Sequence, residues 1–407
     1  MTLKIERMGR EGDGLAQVDG RTVPVPFTLP RETVETDPLR IVEPSADRVE
    51  PVCRHFGTCG NCALQHWAAE PMLAWKRDQV VAAFRREGLE PNVARTVAVP
   101  LHSRRRVAFA FVAGHGDVAL AFHERRSHAT FRVEECPILV REIETNLIGP
   151  QMLARVMVAS VEGVTVTACE NGLDVQLLAK RQPNDQERRG LIRLLRDHVR
   201  GVVRLCVNDE IILASQAPIV RFGDAAVTPP PGAFLQATGE SERAMADLAV
   251  GHVSGAKRTV DLFAGCGTFA LRLGGTVHAV DDAGASLDAL AKGAAASGRD
   301  AVTTERRDLF ERPLSPKELE RYDAVVLDPP RAGAEAQVRE LAKTTITRIA
   351  YVSCNPATLA RDAKVLVDAG WTCTGVTPVD QFLYSPHVEA VALFEREKVR
   401  RKRPLFG

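Results

Sequence analysis

The sequence predicts an α/β protein whose last domain, residues 233–407, is doubly wound around a mostly parallel sheet. Apolar runs of the kind that form buried parallel strands alternate there with helical stretches. The strand-like runs span 259–263, 276–281, 322–328 and 348–353, and the helical stretches span 284–297, 335–343 and 357–369. Two further strand-like runs, 373–377 and 388–394, have no helix between them and are expected to pair antiparallel. A ligand is expected at the carboxyl ends of the strands.

Two smaller domains are predicted before this one. Residues 1–48 alternate short β-like runs with glycine turns, and Asp19-Gly20 is a strong hairpin signal, so a very small β-barrel is expected. Residues 49–232 begin with a cysteine-rich stretch and a helix near 71–87. They then mix strand-like with helical runs, which indicates a mixed α/β central domain. The segment 67–95 is expected to pack on the last domain.

The composition is typical of a globular protein, since 45% of the 407 residues are hydrophobic and 26% are charged. No apolar run has the length needed to cross a bilayer, and we expect no signal peptide, a cytoplasmic location and no membrane partner. The net charge of +1 conceals basic clusters at 104–106, at 125–126 and near the carboxyl terminus. Such clusters either bind phosphates or are solvated surface charge. The last cluster consists of Lys398, Arg400, Arg401, Lys402 and Arg403.

A glycine turn follows the first strand of the last domain and opens a helix. Gly265 and Gly267 allow the backbone to turn tightly beneath a ligand. Ala270 stands where a dinucleotide-binding loop has its third glycine, and that motif tolerates alanine, so the spacing does not exclude NAD. Asp281 ends the second strand, where an acid can bind the hydroxyl pair of a ribose. The pattern fits an adenosine-containing ligand in general, or else a core turn with a solvated acid.

Two acids and a cysteine follow later strands of the same sheet. Asp308 comes after the third strand region, and Asp328 ends the fourth in the sequence DPPR, whose prolines stiffen the loop. Cys354 ends the fifth strand and is therefore expected at the same edge as Asp328. A helix begins at Pro356, and its amino-terminal amides are expected to lower the pKa of the thiol. Taken alone, a cysteine at this position is as often plain core packing.

Four other cysteines have a spacing that suggests a metal site. Cys53, Cys59 and Cys62 are separated by five and by two residues, and Cys136 is followed by a proline. Four thiolates suit tetrahedral zinc. The five-residue gap is long for zinc, however, and a Cys-Pro fourth ligand is common around iron–sulfur clusters. Metal-free thiols are the remaining alternative.

Four motifs resemble those of the RNA (uracil-5-)-methyltransferases, and the resemblance covers nearly the whole chain. The motifs are FLQ at 234–236, DPPRAG at 328–333, SCNPATLARD at 353–362 and HVE at 387–389. The resemblance implies a Rossmann-like class I methyltransferase domain that uses S-adenosylmethionine. It also implies that Cys354 attacks C6 of a uracil and that Glu389 removes the C5 proton after methylation, a route that raises the electron density on C5.

The same resemblance assigns residues to the cofactor. The positions that match the family's cofactor contacts are Gln236, Phe263, Thr268, Asp281, Asp308 and Asp328. Asp281 stands where Glu is usual, and Thr268 and Asp308 stand where Asn is usual.

The cysteines resemble the [4Fe-4S] site of the ribosomal-RNA branch of the family, with Cys53, Cys59, Cys62 and Cys136 as ligands and zinc as the alternative. The transfer-RNA branch typically lacks this site, so the resemblance favours 23S ribosomal RNA as the substrate and a structural or RNA-binding role for the cluster. Residues 5–29 resemble a TRAM domain, an RNA-binding barrel of oligonucleotide-binding type that is shortened here after Glu35.

We expect a monomer that acts on RNA. The alternative substrates are transfer RNA, a small molecule or a protein. A non-enzymatic alternative is an RNA-binding protein with an inactive methyltransferase domain, and the intact Cys354 and Glu389 argue against it.

Overall fold

The computed structural model of the protein describes residues 1–114 and 117–397. The basic cluster predicted at residues 398–403 lies outside the described residues. Within them, no helix combines the length and the apolar composition that crossing a membrane requires.

The first 48 residues form two small antiparallel sheets around a shared apolar core. Their strands are Thr2–Lys4 (β1), Arg7–Met8 (β2), Gly14–Val18 (β3), Arg21–Val25 (β4), Thr33–Thr36 (β5) and Leu39–Glu43 (β6). One sheet has the order β1-β5-β6 and the other β2-β3-β4. The predicted turn at Asp19-Gly20 joins β3 to β4, and both residues have positive φ (49° and 76°), as a tight two-residue hairpin turn requires.

The central part of the chain is built on one mixed sheet. The elements in this part are Ala69–Arg86 (α1), Arg106–Gly114 (β7), Asp117–His123 (β8), Thr130–Arg132 (β9), Arg141–Glu144 (α2), Ile148–Val156 (α3), Val161–Cys169 (β10), Gly172–Ala179 (β11), Asp185–Asp197 (α4), Val202–Val207 (β12) and Glu210–Ala214 (β13). The strand order is β13-β12-β11-β10-β7-β8-β9. Neighbours are antiparallel except β11 and β12, which α4 connects in parallel. A reciprocal cap between Asn184 and Glu187 starts α4.

The last part of the chain is the predicted doubly wound domain. Its elements are Val220–Phe222 (β14), Ala225–Val227 (β15), Gly239–Val253 (α5), Arg258–Leu262 (β16), Thr276–Asp281 (β17), Gly284–Ala296 (α6), Val302–Arg306 (β18), Pro316–Leu319 (α7), Ala324–Leu327 (β19), Glu335–Leu341 (α8), Arg348–Ser353 (β20), Pro356–Asp368 (α9), Thr372–Val379 (β21) and Glu389–Glu395 (β22). The main sheet has the order β18-β17-β16-β19-β20-β22-β21. Strands β16 to β20 pair in parallel, whereas β22 is antiparallel to both β20 and β21. The predicted parallel sheet with a closing antiparallel pair is confirmed.

Two elements of this domain do not follow from the sequence pattern. The buried face of helix α5 includes the polar residues Ser241 and Glu242 and two small alanines, so its hydrophobic periodicity is faint. Strand β18 lies at the edge of the sheet, and each of its five residues is exposed or only half-buried. It therefore has no apolar run that would give its bounds, although a third strand region was expected before Asp308.

Helix α1 packs against the last domain. Its residues Val80 and Phe84 are fully buried in the same core as Leu359 of α9. Lys76 of α1 forms a buried ion pair with Asp380, which directly follows β21. The helix therefore holds the chain segment that leads into β22, the strand that begins at Glu389.

Candidate active site

The carboxyl ends of β16, β17 and β19 surround a cavity of about 710 Å³. Ligands of doubly wound domains bind at this edge of the sheet. Every position predicted to contact the cofactor lines the cavity, namely Gln236, Phe263, Thr268, Asp281, Asp308 and Asp328. Cys354 and Glu389, the predicted nucleophile and base, line the same cavity. Gln236 and Glu389 are 153 positions apart in the sequence (389 minus 236), and the fold brings both to one cavity.

The glycine loop after β16 forms the floor of this cavity. Gly267 has a φ of 99°, and a Cβ there would lie 2.9 Å from the side chains of Leu271 and Leu290, so glycine is required. Asp281 fixes the loop, because its Oδ2 accepts a hydrogen bond from Gly265 N at 2.9 Å. The acid predicted to bind a ribose therefore also shapes the glycine turn.

An aromatic pair forms one wall of the cavity. Phe263 has a φ of 64°, an uncommon backbone conformation for a residue with a side chain, and it turns toward Phe310 with ring centroids 5.5 Å apart. Asp308 Oδ1 accepts hydrogen bonds from the backbone N–H groups of Phe310 (2.8 Å) and Glu311 (3.2 Å). Asp308 thus fixes the turn that presents Phe310, which is half-exposed at the cavity.

Asp328 is held by Gln236 at the centre of the site. Gln236 Nε2 donates a hydrogen bond to Asp328 Oδ2 at 2.9 Å, and the Gln236 side chain is itself buried. Burial raises the pKa of Asp328 to about 7, and the bond from Gln236 opposes that rise only in part. Asp328 therefore titrates near neutral pH when no ligand is bound.

One of the basic clusters has a different role from the predicted one. Arg105 was expected to bind phosphate or to be solvated, but it is largely buried and pairs with Glu242 of α5. Its Nε also donates to the backbone carbonyl of Gln236 at 3.0 Å. Arg105 therefore holds the segment that carries Gln236 through these two contacts within the protein.

Cys354 lies where two cavities meet. A second cavity of about 230 Å³ shares Cys354 and Arg331 with the cofactor cavity. Arg10 and Glu11 from the amino-terminal sheets, Trp75 from α1 and His387 also line this second cavity. The thiol thus faces the cofactor cavity on one side and an opening toward the amino-terminal domain on the other.

Glu389 is the first residue of β22 and is 4% exposed. Burial raises its pKa to about 8, the nearby Asp328 carboxylate contributes to the rise, and a hydrogen bond from Gln381 opposes it. A carboxyl group with a pKa near neutrality can gain or lose a proton at little cost at physiological pH. The position of Glu389 in the cavity and its raised pKa are compatible with the predicted role as a base.

The surroundings of Cys354 differ from the prediction. Burial and the charges of Glu389 and Asp328 raise its pKa to about 11, whereas the amides at the start of α9 were expected to lower it. Burial and the two carboxylates therefore outweigh any effect of the amides at the start of α9. In the ligand-free protein the thiol is therefore protonated.

The four predicted metal ligands lie near one another in the central domain. Cys59, Cys62 and Cys136 are buried, and Cys53 is half-buried. Burial raises the pKa of Cys136, and the negative charges of the other three thiols contribute to the rise, so all four interact electrostatically. Across residues 1–114 and 117–397, however, no set of three or more His, Cys, Asp or Glu side chains is arranged so that it could hold a metal ion. The donor set consists of thiols alone, which suits thiolate-binding iron or zinc.

Comparison with known proteins identifies the family. A family model described as tRNA (uracil-5-)-methyltransferase matches residues 224–397. An uncharacterized RNA methyltransferase of Agrobacterium fabrum is 45% identical over 97% of this chain and 99% of its own length. The 23S rRNA (uracil(1939)-C(5))-methyltransferase RlmD of Halomonas elongata is 32% identical over 98% of this chain and 90% of its own length. The chain belongs to the RNA (uracil-5-)-methyltransferase family.

A solved member of this family has the same fold. The tRNA (uracil-54, C5)-methyltransferase of Pyrococcus abyssi, crystallised with S-adenosyl-L-homocysteine, superposes with a TM-score of 0.73. The match covers 97% of this chain and all of that chain at 21% identity. The predicted family, fold class and enzyme class are confirmed.

Gln381 was not identified from the sequence, although it lies beside Glu389 in the site of the present protein. Gln381 donates from Nε2 to Glu389 Oε1 at 3.1 Å, and its partners Gln236 and Ser241 lie more than 130 positions away in the sequence. No periodicity or spacing links such positions. The FLQ motif pointed to Gln236, but nothing in the sequence indicated that a second glutamine lies between it and Glu389.

Proposed function

We propose that the protein forms 5-methyluridine in 23S ribosomal RNA, with Cys354 as the nucleophile and Glu389 as the base. The position of Cys354 carries this proposal, because the thiol lies between the cofactor cavity and a second opening. A uracil that enters through that opening would meet the thiol on one face and the methyl donor beyond it.

The reaction follows from the weak nucleophilicity of uracil C5. The Cys354 thiolate forms a bond to C6, and the electrons of the C5=C6 bond move onto the C4 carbonyl as an enolate. C5 then attacks the methyl group of S-adenosylmethionine, whose methyl–sulfur bond breaks to leave S-adenosylhomocysteine. The Glu389 carboxylate takes the C5 proton, the C5=C6 bond re-forms and the thiolate departs.

Bound cofactor would supply a sulfonium cation beside three groups whose anionic forms are disfavoured by burial. The pKa values of Asp328, Glu389 and Cys354 are raised to about 7, 8 and 11 in the ligand-free protein. A nearby positive charge favours each anion. We therefore expect a larger fraction of the base and of the nucleophile to be ionised when the methyl donor is in place.

The second cavity supports RNA as the substrate. A base inside folded RNA must be flipped out to reach a buried thiol. The opening is lined by Arg10, Arg86 and Arg331, which can contact the backbone phosphates of the flipped nucleotide, and by Trp75, which offers a surface for stacking. A small-molecule methyltransferase would not need an opening built by two other parts of the chain.

The four cysteines favour ribosomal over transfer RNA. A [4Fe-4S] cluster, or zinc as the alternative, would be held by Cys53, Cys59, Cys62 and Cys136. A cluster keeps its four cysteine sulfurs farther apart than a single metal ion does. Its role would be to fix the loop that contains Cys53 to Cys62 against the central sheet, where Cys59 pairs with Glu124. The 32% identical RlmD of Halomonas elongata, named for 23S rRNA, supports the same choice.

The test uses RNA that carries 5-fluorouridine, which has no C5 proton for Glu389 to remove. Incubation with S-adenosylmethionine and 23S ribosomal RNA fragments should give a covalent protein–RNA adduct that survives denaturation. Cys354→Ala should abolish the adduct, and Cys206→Ala, which alters a buried thiol of the central sheet, should leave it intact. An adduct with transfer RNA transcripts alone would overturn the choice of ribosomal RNA, and no adduct with either would overturn the mechanism.

A further inference from the structure

We propose that Gln381 is a positioning residue that decides which oxygen of Glu389 handles the proton. Gln381 keeps Glu389 Oε1 as a hydrogen-bond acceptor and thereby leaves Oε2 as the atom that takes the C5 proton. This inference rests on the proposed function, in which Glu389 is the base.

The orientation of the Gln381 amide is fixed by a backbone donor. The Ala237 N–H donates to Gln381 Oε1 at 3.2 Å, and the Ser241 hydroxyl lies 2.8 Å from the same oxygen. A backbone N–H can only donate, so the atom that faces it must be the oxygen of the amide. The amino group of Gln381 must therefore point the other way, toward the active site.

The two hydrogens of that amino group have two acceptors. Gln381 Nε2 donates to Gln236 Oε1 at 2.8 Å and to Glu389 Oε1 at 3.1 Å. Because Gln236 Oε1 is an acceptor, the other end of that amide is a donor, and it donates to Asp328 Oδ2 at 2.9 Å. One backbone N–H thus sets the direction of the whole chain of hydrogen bonds from Ala237 to both carboxyl groups.

The direction of this chain dictates where protons can reside. An oxygen that already accepts a hydrogen bond from an amide cannot also carry its own proton toward that amide without a clash of hydrogens. The carbonyl oxygen of a protonated carboxyl group is also the stronger acceptor, so the amides favour the proton on Oε2 of Glu389 and on Oδ1 of Asp328. Both carboxyl groups have pKa values raised by burial, to about 8 and about 7, so these protonated forms exist near neutral pH.

Gln381 is itself held from outside the catalytic domain. Its neighbour Asp380 pairs with Lys76 of α1, and both side chains are completely buried. Lys76 Nζ also donates to the backbone carbonyl of Phe382 at 3.1 Å. The residues on either side of Gln381 are thus clamped by one lysine, so the amide cannot easily rotate away from Glu389.

Loss of Gln381 should slow the last chemical step more than the earlier ones. Without the amide, Glu389 can rotate or place a proton on either oxygen, whereas the attack by Cys354 and the methyl transfer do not use that carboxylate as a base. A methylated uridine still bonded to Cys354 should then accumulate. A merely structural glutamine would instead reduce all steps together.

The experiment measures the partition between methyl transfer and the release of the methylated uridine from Cys354. It uses ordinary uridine RNA and S-adenosylmethionine labelled in the methyl group. In rapid-quench assays Gln381→Met should raise the denaturant-resistant, methyl-labelled protein–RNA complex by about tenfold or more over the wild type, as expected for an impaired general base. The burst of methyl transfer should remain of similar size. Gln381→Glu, which keeps an acceptor for Ala237 but lacks the amide donor, should show the same accumulation and guards against a folding defect of the first variant.

The pH dependence gives a second readout. The groups that face Glu389 and Gln381 are Asp328, Cys354 and the Lys76–Asp380 pair. The Gln381 hydrogen bond lowers the pKa of Glu389, so its removal should raise that pKa. Since the base acts when ionised, the acidic limb of the release rate should move to higher pH in Gln381→Met.

Gln337→Met is the matched control, because Gln337 is another fully buried glutamine whose amide bonds only to Leu314 among the described residues. It should lower stability without changing the partition or the pH profile. An unchanged partition in both Gln381 variants, or an equal loss of burst and release, would overturn the positioning role. A wild type that forms no adduct with 5-fluorouridine RNA would instead overturn the proposed function.

Discussion

Gln236 and Asp328 are joined by a hydrogen bond of 2.9 Å, although the first precedes α5 and the second directly follows β19. The bond ties the segment that closes the cofactor cavity to the centre of the sheet. Burial raises the pKa of Asp328, and the neutral amide of Gln236 opposes that rise only in part. A positive charge bound in the cofactor site should therefore favour the ionised form of Asp328.

Gln236→Ala should weaken the binding of S-adenosylmethionine by about tenfold, because Asp328 loses its hydrogen-bond donor. Leaving a buried polar group without its partner costs about 1–3 kcal/mol. The Kd can be measured by isothermal titration calorimetry at pH 7.5. Gln216→Ala changes an exposed glutamine of the central part of the chain and should leave the Kd unchanged. Equal affinities in Gln236→Ala and the wild type would show that the bond to Asp328 does not shape the cofactor site.

Glu389→Gln should trap the enzyme after methyl transfer. The neutral amide cannot take the C5 proton, so ordinary uridine RNA should remain bonded to Cys354 after methylation, and turnover should fall by about 10²–10⁴-fold. Denaturing gels with RNA and labelled cofactor measure both quantities. The double variant with Cys354→Ser should give no adduct. Normal turnover by Glu389→Gln would exclude Glu389 as the base.

The sequence was a good guide to the parts of this site that follow strand ends. Asp281 ends its strand, and Asp328 and Cys354 directly follow theirs. Parallel strands bring their carboxyl ends to one edge of the sheet, so the proximity of the three residues could be predicted. The turn at Asp19-Gly20 was predictable for a similar reason, since its residue types favour positive φ.

The parts that could not be predicted depend on contacts between distant segments. Burial and the charges of Glu389 and Asp328 raise the pKa of Cys354, whereas the start of α9 was expected to lower it. Arg105 looked like surface charge because its partner Glu242 is 137 positions away. Sequence patterns report local periodicity, and they carry no information on which buried polar groups will meet.

The ion pair between Lys76 and Asp380 gives a prediction for stability. Lys76→Met should lower the free energy of unfolding by about 3–5 kcal/mol, because it leaves the Asp380 carboxylate buried without its partner. Urea unfolding followed by circular dichroism measures the change. The double variant Lys76→Met with Asp380→Leu should recover much of the loss. If it is instead as unstable as the sum of the single variants, the two side chains are not energetically coupled.

The four cysteines of the central domain give a prediction for metal content. Anaerobically purified protein should be brown and carry about four iron atoms and sulfide per chain. Cys136→Ala should lose most of the iron, whereas Cys206→Ala, another buried thiol of the same part of the chain, should keep it. Metal analysis and the visible absorption spectrum measure the outcome. One zinc ion per chain in place of iron would favour the tetrahedral zinc site.

The raised pKa values of Asp328 and Glu389 predict how cofactor affinity depends on pH. With pKa values of about 7 and 8, both groups are mostly protonated at pH 6 in the free protein. A bound sulfonium cation favours the ionised forms, so binding releases protons, and the affinity should rise between pH 6 and pH 8 by at most about tenfold per pH unit for each group.

S-adenosylhomocysteine separates this effect from general changes in the protein, because its neutral thioether carries no charge to stabilise the carboxylates. Its affinity should vary little over the same range, and Asp328→Asn should reduce the slope for S-adenosylmethionine to the part that Glu389 contributes. Calorimetry in two buffers of different ionisation enthalpy counts the protons released. Equal slopes for the two ligands would mean that the sulfonium does not lie beside these carboxyl groups, and the ionisation of Glu389 and Cys354 would then need another cause.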